Sequence, residues 1–547
     1  MTKTPEIIPG QKAPPEMQID ISQLVAAYYD LKPTHPVEFG TSGHRGSSLT
    51  GSFNERHIAA ISQAICEYRA TQGTTGPLFI GFDTHALSFP AFKTALEVLA
   101  ANGVEVVCHK DDEFTPTPVI SRLIINHNHG RSNGLADGIV ITPSHNGPQD
   151  GGFKYNPTHG GPADTDVTGW VQDRANQLIN NNNEGVNATP FETARGAGTV
   201  KETDFITPFV ADLARVVDFE AIHAAKIKIG ADPMGGSGVH YWAPIAEKYG
   251  LDLTVVNDVV DPTFGFMTVD SDKTIRMDCS SKDAMASLIS LKDQYQIAFG
   301  NDTDFDRHGI VTPDGLMNPN HYLSVAIWYL LQYRPQWSRN LKIGKTIVSS
   351  SMIDRVVKGF LNHELYEVPV GFKWFVKGLS EGWLAFGGEE SAGASFLTLD
   401  GKTWTTDKDG FALALLSAEI VARIGKTPSQ IYREILVPRY GDPFYKRADI
   451  TLNTENVTAF RKNVKTLANR LSVGAEIAGR RIVQILTTAP GNGAAIGGTK
   501  VILDDGSWFA ARASGTELKG KLYIESYQGE EHWQTIHDQV YPMLMGV

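Results

Sequence analysis

Residues 295–308 read YQIAFGNDTDFDRH, an apolar run followed by alternating aspartates. The apolar part predicts a short buried strand, and ligands of α/β sheets bind beyond the carboxyl ends of such strands. Asp302, Asp304 and Asp306 can converge on one hard divalent cation. Arg307 adds a fixed positive charge that suits a phosphate ligand. The stretch therefore predicts an α/β fold with a metal and phosphate site.

Competing motifs fit this chain poorly. An EF-hand also begins with alternating aspartates, but it needs Gly at loop position six and Glu at position twelve, where Arg307 and Pro313 stand. Gly-Lys-Thr occurs at 344–346 and at 425–427, as at the end of a P-loop motif. Neither is a P-loop, because Arg339 and Ile420 occupy the place of the first glycine. A solvated acidic turn is the alternative that an isolated aspartate motif leaves open.

A second polar cluster follows another apolar run. Residues 139–141 are Ile-Val-Ile and predict a strand, which continues into TPSHN at 142–146. Ser144 is a candidate nucleophile that needs a base or a metal to activate it. His145 can carry a proton near neutral pH. The sequence does not match G-x-S-x-G, and such a cluster alone is more typical of a turn.

Separated motifs together resemble the α-D-phosphohexomutase family, and its bacterial phosphoglucomutases in particular. These motifs are FGTSGHRG at 39–46, TPSHN at 142–146, DTDFDR at 302–307, GEESAG at 388–393 and RASGTE at 512–517. Their order and spacing also match the family. The chain departs from the family at Gly147, where many members have Pro, and at Val370, where relatives often have Thr.

The resemblance implies three topologically similar α/β domains plus a smaller C-terminal α+β lid domain around a central cleft. Alternating strand-like and helix-like runs agree with this architecture. The predicted domains are 1–202 with the phosphoserine loop, 203–312 with the metal-binding loop, 313–436 with the sugar-binding loop, and 437–547 with the phosphate-binding lid. Individual elements predicted from the pattern include strands over 78–82, 104–108, 227–231 and 346–349, and helices over 91–102, 116–126 and 352–361.

The resemblance also implies an activity, that of a phosphoglucomutase. Such an enzyme interconverts glucose 1-phosphate and glucose 6-phosphate through a phosphoserine at Ser144 and a glucose 1,6-bisphosphate intermediate, which also serves as activator. The alternatives are a phosphomannomutase, a dual-specificity phosphohexomutase, or a non-catalytic phosphosugar-binding paralogue.

Site residues are carried over from the matching motifs. The implied ligands of Mg²⁺ are Ser144, Asp302, Asp304 and Asp306. The implied catalytic residues are Arg45, Ser144, His145 and Lys154. The implied substrate-binding residues are Arg307, Gly371, Lys373, Glu389, Ser391, Lys408, Arg512, Ser514, Gly515 and Thr516. The general base stays open among His145, Lys154, Lys373 and Lys408.

The composition of the chain restricts which partners and which cellular compartment we expect. The net charge of −12 argues against nucleic acid and anionic membrane as partners. The cysteines number 3 and are far apart, so no disulfide framework is expected. The sequence shows neither a signal peptide nor an apolar run long enough for a bilayer. We therefore expect a cytoplasmic monomer or homodimer that binds a small phosphosugar.

Overall fold

The computed structural model describes residues 6–40, 43–360, 363–513 and 518–546. The chain forms two compact units built from discontinuous segments. The first comprises the residues up to Pro319 together with Phe375–Gly382 and Ser391–Pro428, and the second comprises Asn320–Trp374, Trp383–Glu390 and the chain from Ser429 onward. Within the described ranges, every helix is too short or too polar to cross a membrane.

A six-stranded sheet and its helices form the N-terminal part of the first unit. The strands are β1 (His44–Ser47), β2 (Leu78–Phe82), β3 (Val106–His109), β4 (Asp137–Ile141), β5 (Asp150–Asn156) and β6 (Val200–Thr203). The helices are α1 (Ile21–Asp30), α2 (Glu55–Gln72), α3 (Ser88–Ala101), α4 (Thr117–Asn128), α5 (Thr165–Asn180) and α6 (Phe191–Arg195).

The strand order of this sheet is β1-β5-β4-β2-β3-β6. Strand β2 pairs in parallel with β3 and β4, and β5 runs antiparallel to β4 and β1. Strands β2 and β4 are largely apolar and lie at the centre of this mixed sheet, where they are buried along their whole length. The predicted strand over 78–82 and the predicted helices over 91–102 and 116–126 are confirmed, the helices with shifted bounds.

A second sheet lies in the same unit, with strand order β11-β10-β9-β7-β8. Its strands are β7 (Lys228–Asp232), β8 (Asp252–Val255), β9 (Ile297–Gly300), β10 (Gly309–Thr312) and β11 (Gly315–Leu316). Its helices are α7 (Ile206–Asp212), α8 (Phe219–Ala225), α9 (Trp242–Tyr249) and α10 (Ala286–Ser290). Strand β9 confirms the strand that the sequence predicts before the aspartates, and it is parallel to β7.

The next elements continue to residue 440. They are α11 (Pro319–Tyr333), β12 (Lys342–Thr346), α12 (Met352–Lys358), β13 (Glu364–Val368), α13 (Lys373–Ser380), β14 (Leu384–Glu389), β15 (Gly393–Phe396), α14 (Gly410–Ile424), α15 (Pro428–Ile431) and α16 (Val437–Tyr440). Strand β12 pairs in parallel with β13 and β14. Strand β15 and helix α14 belong to the first unit.

The prediction of a strand over 346–349 is wrong. The strand is β12, which ends at Thr346. Ile347 and Val348 are buried, but they pack in an apolar cluster with Trp508 and neighbouring residues of the second unit. Their hydrophobicity therefore reflects packing against another sheet rather than membership of a strand.

The C-terminal part of the second unit is a six-stranded sheet with helices. Its strands are β16 (Phe444–Thr451), β17 (Glu476–Ile477), β18 (Arg480–Thr488), β19 (Ala495–Leu503), β20 (Trp508–Ala513) and β21 (Lys519–Ser526), and its helices are α17 (Val457–Arg470) and α18 (Glu530–Met545). The order is β16-β21-β20-β19-β18-β17, with antiparallel pairing throughout. This confirms the predicted change from α/β to a smaller α+β domain.

Candidate active site

Ser144 lies in a turn that follows β4. Its backbone has a φ of +60°, a left-handed conformation that residues other than glycine rarely adopt, and the residue is 1% exposed. The Ser144 N–H donates to Thr142 Oγ1 at 2.8 Å, and the Ser144 hydroxyl donates to Asp302 Oδ2, also at 2.8 Å. The turn therefore directs this hydroxyl at the aspartate loop that follows β9.

Asp302, Asp304 and Asp306 form a buried carboxylate cluster. One oxygen from each lies within 4.8 Å of the others. Asp304 Oδ1 and Asp306 Oδ1 accept no hydrogen bond from any residue that the structure describes. Burial raises the pKa of the Asp302 carboxyl well above its usual range, and the charges of Asp304 and Asp306 raise it further. A hard divalent cation would bind the carboxylate oxygens that accept no hydrogen bond, and its positive charge would stabilise the three clustered carboxylates. These residues therefore fit a metal site.

Lysine side chains balance part of this negative charge. Lys154 Nζ lies 2.6 Å from Asp304 Oδ2, and Lys408 Nζ lies 2.7 Å from Asp306 Oδ2. Burial works to lower the pKa of Lys154, but the charges of Asp304 and Asp306 outweigh it and leave that pKa raised. Lys154 is therefore a protonated cation in this arrangement.

Arginines add further positive charge. The backbone N–H of Arg307 donates to Asp302 Oδ1 at 3.0 Å, and the Nε of its guanidinium lies 3.8 Å from Asp306 Oδ1. Arg45 is on β1, paired with Gly152 of β5. Burial lowers the pKa of Arg45, although the charge of Asp304 opposes that effect, and a guanidinium stays protonated in proteins. These cations are suited to neutralising a phosphoryl group.

His145 is adjacent to the candidate nucleophile in space as well as in sequence. Its Nδ1 lies 3.4 Å from Ser144 Oγ. Burial lowers the pKa of His145 well below its usual range, and the positive charge of Arg307 lowers it further. The imidazole is therefore neutral near pH 7 and has a nitrogen that can accept a proton.

Lys408 reaches the site because helix α14 begins directly against the aspartate loop. Asp409 caps the helix by accepting the Ala412 N–H at 3.0 Å. The Gly410 N–H donates to the Phe305 carbonyl at 2.8 Å. A Cβ at Gly410 would collide with the backbone carbonyl oxygen of Arg307, so only glycine permits this approach.

The second unit contains a separate group of predicted residues. The Gly371 N–H donates to Glu389 Oε1 at 3.1 Å, and Gly371 has a φ of +123°. Glu389 ends β14 and is 7% exposed. Lys373 begins α13, and its Nζ lies 4.8 Å from the centroid of the Trp374 ring. This group offers a carboxylate and an ammonium group of the kind that bind sugar hydroxyls and phosphates.

The remaining predicted site residues belong to other segments of the chain. Arg512 lies near the end of β20, and its Nε donates to the Ile496 carbonyl at 3.2 Å. Ser391 belongs to the first unit and is partly buried. The predicted phosphate-binding residues Ser514, Gly515 and Thr516 lie outside the described residues.

Sequence reasoning missed several residues that contact this site. Thr117 Oγ1 donates to Asp304 Oδ2 at 2.7 Å. Asp83 accepts a hydrogen bond from Thr142 Oγ1 at 2.6 Å and follows β2, the parallel neighbour of β4. Because carboxyl ends of adjacent parallel strands meet at one edge of a sheet, the rule that identified Ser144 could also have identified Asp83.

Comparisons with known proteins identify the family of this chain. The phosphoglucomutase/phosphomannomutase alpha/beta/alpha domains I, II and III match residues 36–182, 207–315 and 318–438. A phosphoglucomutase of Komagataeibacter xylinus is 55% identical over 543 residues, which cover 98% of this chain and 97% of that protein. Phosphoglucomutase 1 of Drosophila melanogaster is 26% identical, with 91% of this chain and 92% of that protein covered.

Solved structures share the fold. The open form of the phosphoglucomutase pp63/parafusin from Paramecium matches with a TM-score of 0.75 at 19% identity, covering 94% of this chain and 97% of that one. A putative phosphomannomutase from Thermus thermophilus matches with a TM-score of 0.72 at 21% identity, covering 93% and 99%. The chain belongs to the phosphoglucomutase/phosphomannomutase family, the α-D-phosphohexomutases. Within that family of mutases, it is similar over nearly its full length to a bacterial phosphoglucomutase.

Proposed function

We propose that this protein is a Mg²⁺-dependent phosphoglucomutase that interconverts glucose 1-phosphate and glucose 6-phosphate through a phosphoserine at Ser144. The identity of 55% to a phosphoglucomutase supports this activity over a phosphomannomutase or a non-catalytic paralogue. The observation that carries the proposal is the buried Ser144 hydroxyl, 2.8 Å from Asp302 Oδ2 and 3.4 Å from His145 Nδ1.

The reaction consists of two phosphoryl transfers. In the first, O6 of glucose 1-phosphate bonds to the phosphorus on Ser144, the P–Oγ bond breaks, and the O6 proton passes to Ser144 Oγ. In the second, Ser144 Oγ bonds to the C1 phosphate of glucose 1,6-bisphosphate, the P–O1 bond breaks, and the proton passes to O1. Glucose 6-phosphate leaves, and the phosphoserine is restored for the next cycle.

His145 is the proton carrier that the geometry favours for these steps. It is neutral and adjacent to Ser144 Oγ. Lys154 and Lys408 lie against carboxylates, where a protonated ammonium group is stabilised. They therefore suit phosphate neutralisation better than proton abstraction. Lys373, in the second unit, is the other candidate base.

The cations of the site neutralise the phosphoryl group as it moves between Ser144 and the sugar. Arg45 and Arg307 join the lysines in this role. Asp302, Asp304 and Asp306, with a phosphate oxygen on Ser144, would hold Mg²⁺, which when bound withdraws charge from the phosphoryl group.

Further substrate contacts belong to this proposal. Gly371, Lys373, Glu389 and Ser391 bind sugar hydroxyls. Arg512 binds the phosphate that is not being transferred, with Ser514, Gly515 and Thr516. The bounds of the four domains, the cytoplasmic location and the monomeric or dimeric state predicted from the sequence belong to the same proposal.

A coupled assay on Ser144→Ala tests the central step. We expect loss of at least about a thousandfold in kcat with glucose 1-phosphate, because the phosphoryl acceptor is gone. Ser417→Ala is a matched control, since Ser417 is also buried and its hydroxyl donates to the Ala414 carbonyl within α14. Intact mass after incubation with glucose 1,6-bisphosphate should show one added phosphoryl group on the wild type and on Ser417→Ala, but none on Ser144→Ala.

Other outcomes would overturn parts of the proposal. A Ser144→Ala variant within tenfold of wild type would exclude the phosphoserine. A wild-type enzyme that turns over mannose 1-phosphate as well as glucose 1-phosphate would indicate a dual-specificity phosphohexomutase.

A further inference from the structure

A buried hydrogen-bond network lies behind the Ser144 turn, formed by residues that follow β2. Asp83 Oδ2 accepts from Thr142 Oγ1 at 2.6 Å, and that same Oγ1 accepts the Ser144 N–H at 2.8 Å. Asp83 Oδ1 accepts from Ser88 Oγ at 2.6 Å and from the His85 N–H at 3.0 Å. The Asp83 carboxylate is thus linked to the backbone N–H of Ser144 through the Thr142 hydroxyl.

His85 connects this network to the other end of the turn. Its Nδ1 lies 2.9 Å from Asp83 Oδ2, and its Nε2 lies 3.1 Å from the Asn146 carbonyl oxygen. Both partners are acceptors, so both ring nitrogens must carry protons, which makes the ring an imidazolium. Burial works to lower the pKa of His85, but the charge of Asp83 outweighs it and leaves that pKa raised. His85 is therefore a buried cation paired with Asp83.

The turn needs such support because its backbone is strained. In the left-handed region the Cβ of a residue other than glycine comes too close to the following carbonyl oxygen, and Ser144 is held there at a φ of +60°. Strained residues persist where the surrounding structure determines their conformation. The network holds Thr142 on one side of Ser144 and Asn146 on the other, so it restrains both ends of the turn.

We propose that Asp83 and His85 are positioning residues for phosphoryl transfer, because through the Thr142 hydroxyl and the Asn146 carbonyl they hold the turn that presents Ser144 Oγ. The proposal rests on the proposed function of Ser144. It extends that function to residues outside the motifs that relate the chain to its family, and it assigns them no contact with the substrate.

This role predicts a particular kinetic signature. Displacement of a reacting atom by about 1 Å lowers the rate by about a hundredfold. The network contains none of the basic side chains proposed to bind phosphate. Its loss should therefore lower kcat and leave the KM for glucose 1-phosphate nearly unchanged, whereas a change in the substrate contacts would raise KM.

His85→Gln tests the proposal, with His109→Gln as its matched control. His109 is buried at the end of β3 in the same sheet, but its ring bonds the Lys110 carbonyl and the Phe205 N–H. We expect His85→Gln to lower kcat about 30- to 100-fold with KM within threefold of wild type, and His109→Gln to keep kcat within about threefold. Equal losses of kcat in the two variants, or a His85→Gln variant with wild-type kcat, would overturn the proposal.

Thr142 provides a second test that does not depend on the folding of the His85 variant. Thr142→Val keeps the side-chain shape but removes the hydroxyl, and Thr142→Ser retains the hydroxyl. We expect about a hundredfold loss of kcat for Val and recovery to within about tenfold of wild type for Ser, with thermal melting recorded for both. A Ser variant no better than Val would exclude the hydroxyl link.

The outcomes separate this inference from the function on which it rests. A wild-type enzyme without mutase turnover would overturn both. The positioning role alone would be overturned if the wild type is active, Ser144→Ala is inactive, and both His85→Gln and Thr142→Val keep full kcat.

Discussion

At the scale of single residues, Asp304 shows how the site balances its charges. Its Oδ2 accepts hydrogen bonds from Thr117 Oγ1 at 2.7 Å and from Lys154 Nζ at 2.6 Å, whereas its Oδ1 accepts none from the described residues. The carboxylate thus has one oxygen satisfied by the protein and one available to a cation. This division is the one expected of a metal ligand that is also held in place by its neighbours.

Asp304→Asn should weaken metal binding. The amide keeps the shape of the side chain but removes its negative charge, so the Mg²⁺ concentration for half-maximal activity should rise about tenfold or more, equivalent to about 1.4 kcal/mol. Titration calorimetry with Mg²⁺ would measure the same change without turnover. Chelation of the wild type should stop turnover, and added Mg²⁺ should restore it.

Asp293→Asn is the control for this change. Asp293 lies before β9, and its side chain is 80% exposed. Asp293→Asn should leave the Mg²⁺ dependence of the activity unchanged. A chelated wild type that stays fully active, or an Asp304→Asn variant with unchanged Mg²⁺ affinity, would mean that the aspartates are not a catalytic metal site.

The sequence predicts the position of a single residue after a strand where one short motif contains both the strand and the residue. Ser144 and the aspartates each follow a strand within a few residues, so their placement depends mainly on local structure. Thr117 was missed because its contact is with Asp304, which is remote in sequence. Asp83 follows β2 directly, as the strand-end rule requires, but its contact with Thr142 depends on β2 lying beside β4. Such partners depend on strand order, which periodicity does not encode.

At the scale of elements, a buried charge cluster joins β12, β13 and β19 in the second unit. Lys500 Nζ lies 2.9 Å from Glu367 Oε1 and donates to the Ile347 carbonyl at 2.7 Å. Lys345 Nζ lies 3.6 Å from the same Glu367 oxygen and also pairs with Asp354. The sequence of β13, Glu-Leu-Tyr-Glu-Val, gives no sign that Glu367 contacts buried lysines.

Glu367→Gln should therefore destabilise the second unit. It removes the negative charge that both buried lysines share, and loss of one partner from a buried ion pair costs about 3 kcal/mol or more. Urea denaturation of the full chain, followed by tryptophan fluorescence, would measure the free energy of unfolding.

A matched control lies on the same strand. Glu364 pairs with Lys342 at 3.0 Å, but its side chain is 72% exposed, so Glu364→Gln should change stability by less than about 0.5 kcal/mol. If Glu364→Gln and Glu367→Gln changed the free energy of unfolding equally, burial of the charge cluster would not determine its contribution to stability.

At the scale of the whole molecule, the compact units do not follow the order of the chain. Helix α14 is almost entirely buried in the first unit, where Glu419 Oε2 accepts the Asp218 N–H at 2.9 Å. The segments on either side of 375–382 belong to the second unit. Sequence patterns describe contiguous segments, so they predicted the fold class but not this exchange of segments between units.

Arg512 provides a test of whether the C-terminal sheet takes part in substrate binding. Its guanidinium is positioned near the end of β20, where its Nε donates to the Ile496 carbonyl at 3.2 Å. The proposed function assigns this guanidinium to the phosphate that is not transferred. A charge-assisted hydrogen bond of this kind contributes about 1.5–3 kcal/mol.

Arg512→Ala should accordingly raise the KM for glucose 1-phosphate about ten- to a hundredfold. A smaller loss of kcat should accompany it, because Ser144 and its neighbours are unchanged. Steady-state kinetics would separate the two parameters, and Arg481→Ala would serve as control, since Arg481 lies on β18 of the same sheet with its side chain 70% exposed. An unchanged KM in Arg512→Ala would remove Arg512 from the substrate site, and an equal rise in both variants would indicate a general effect of positive charge on this domain rather than a specific phosphate contact.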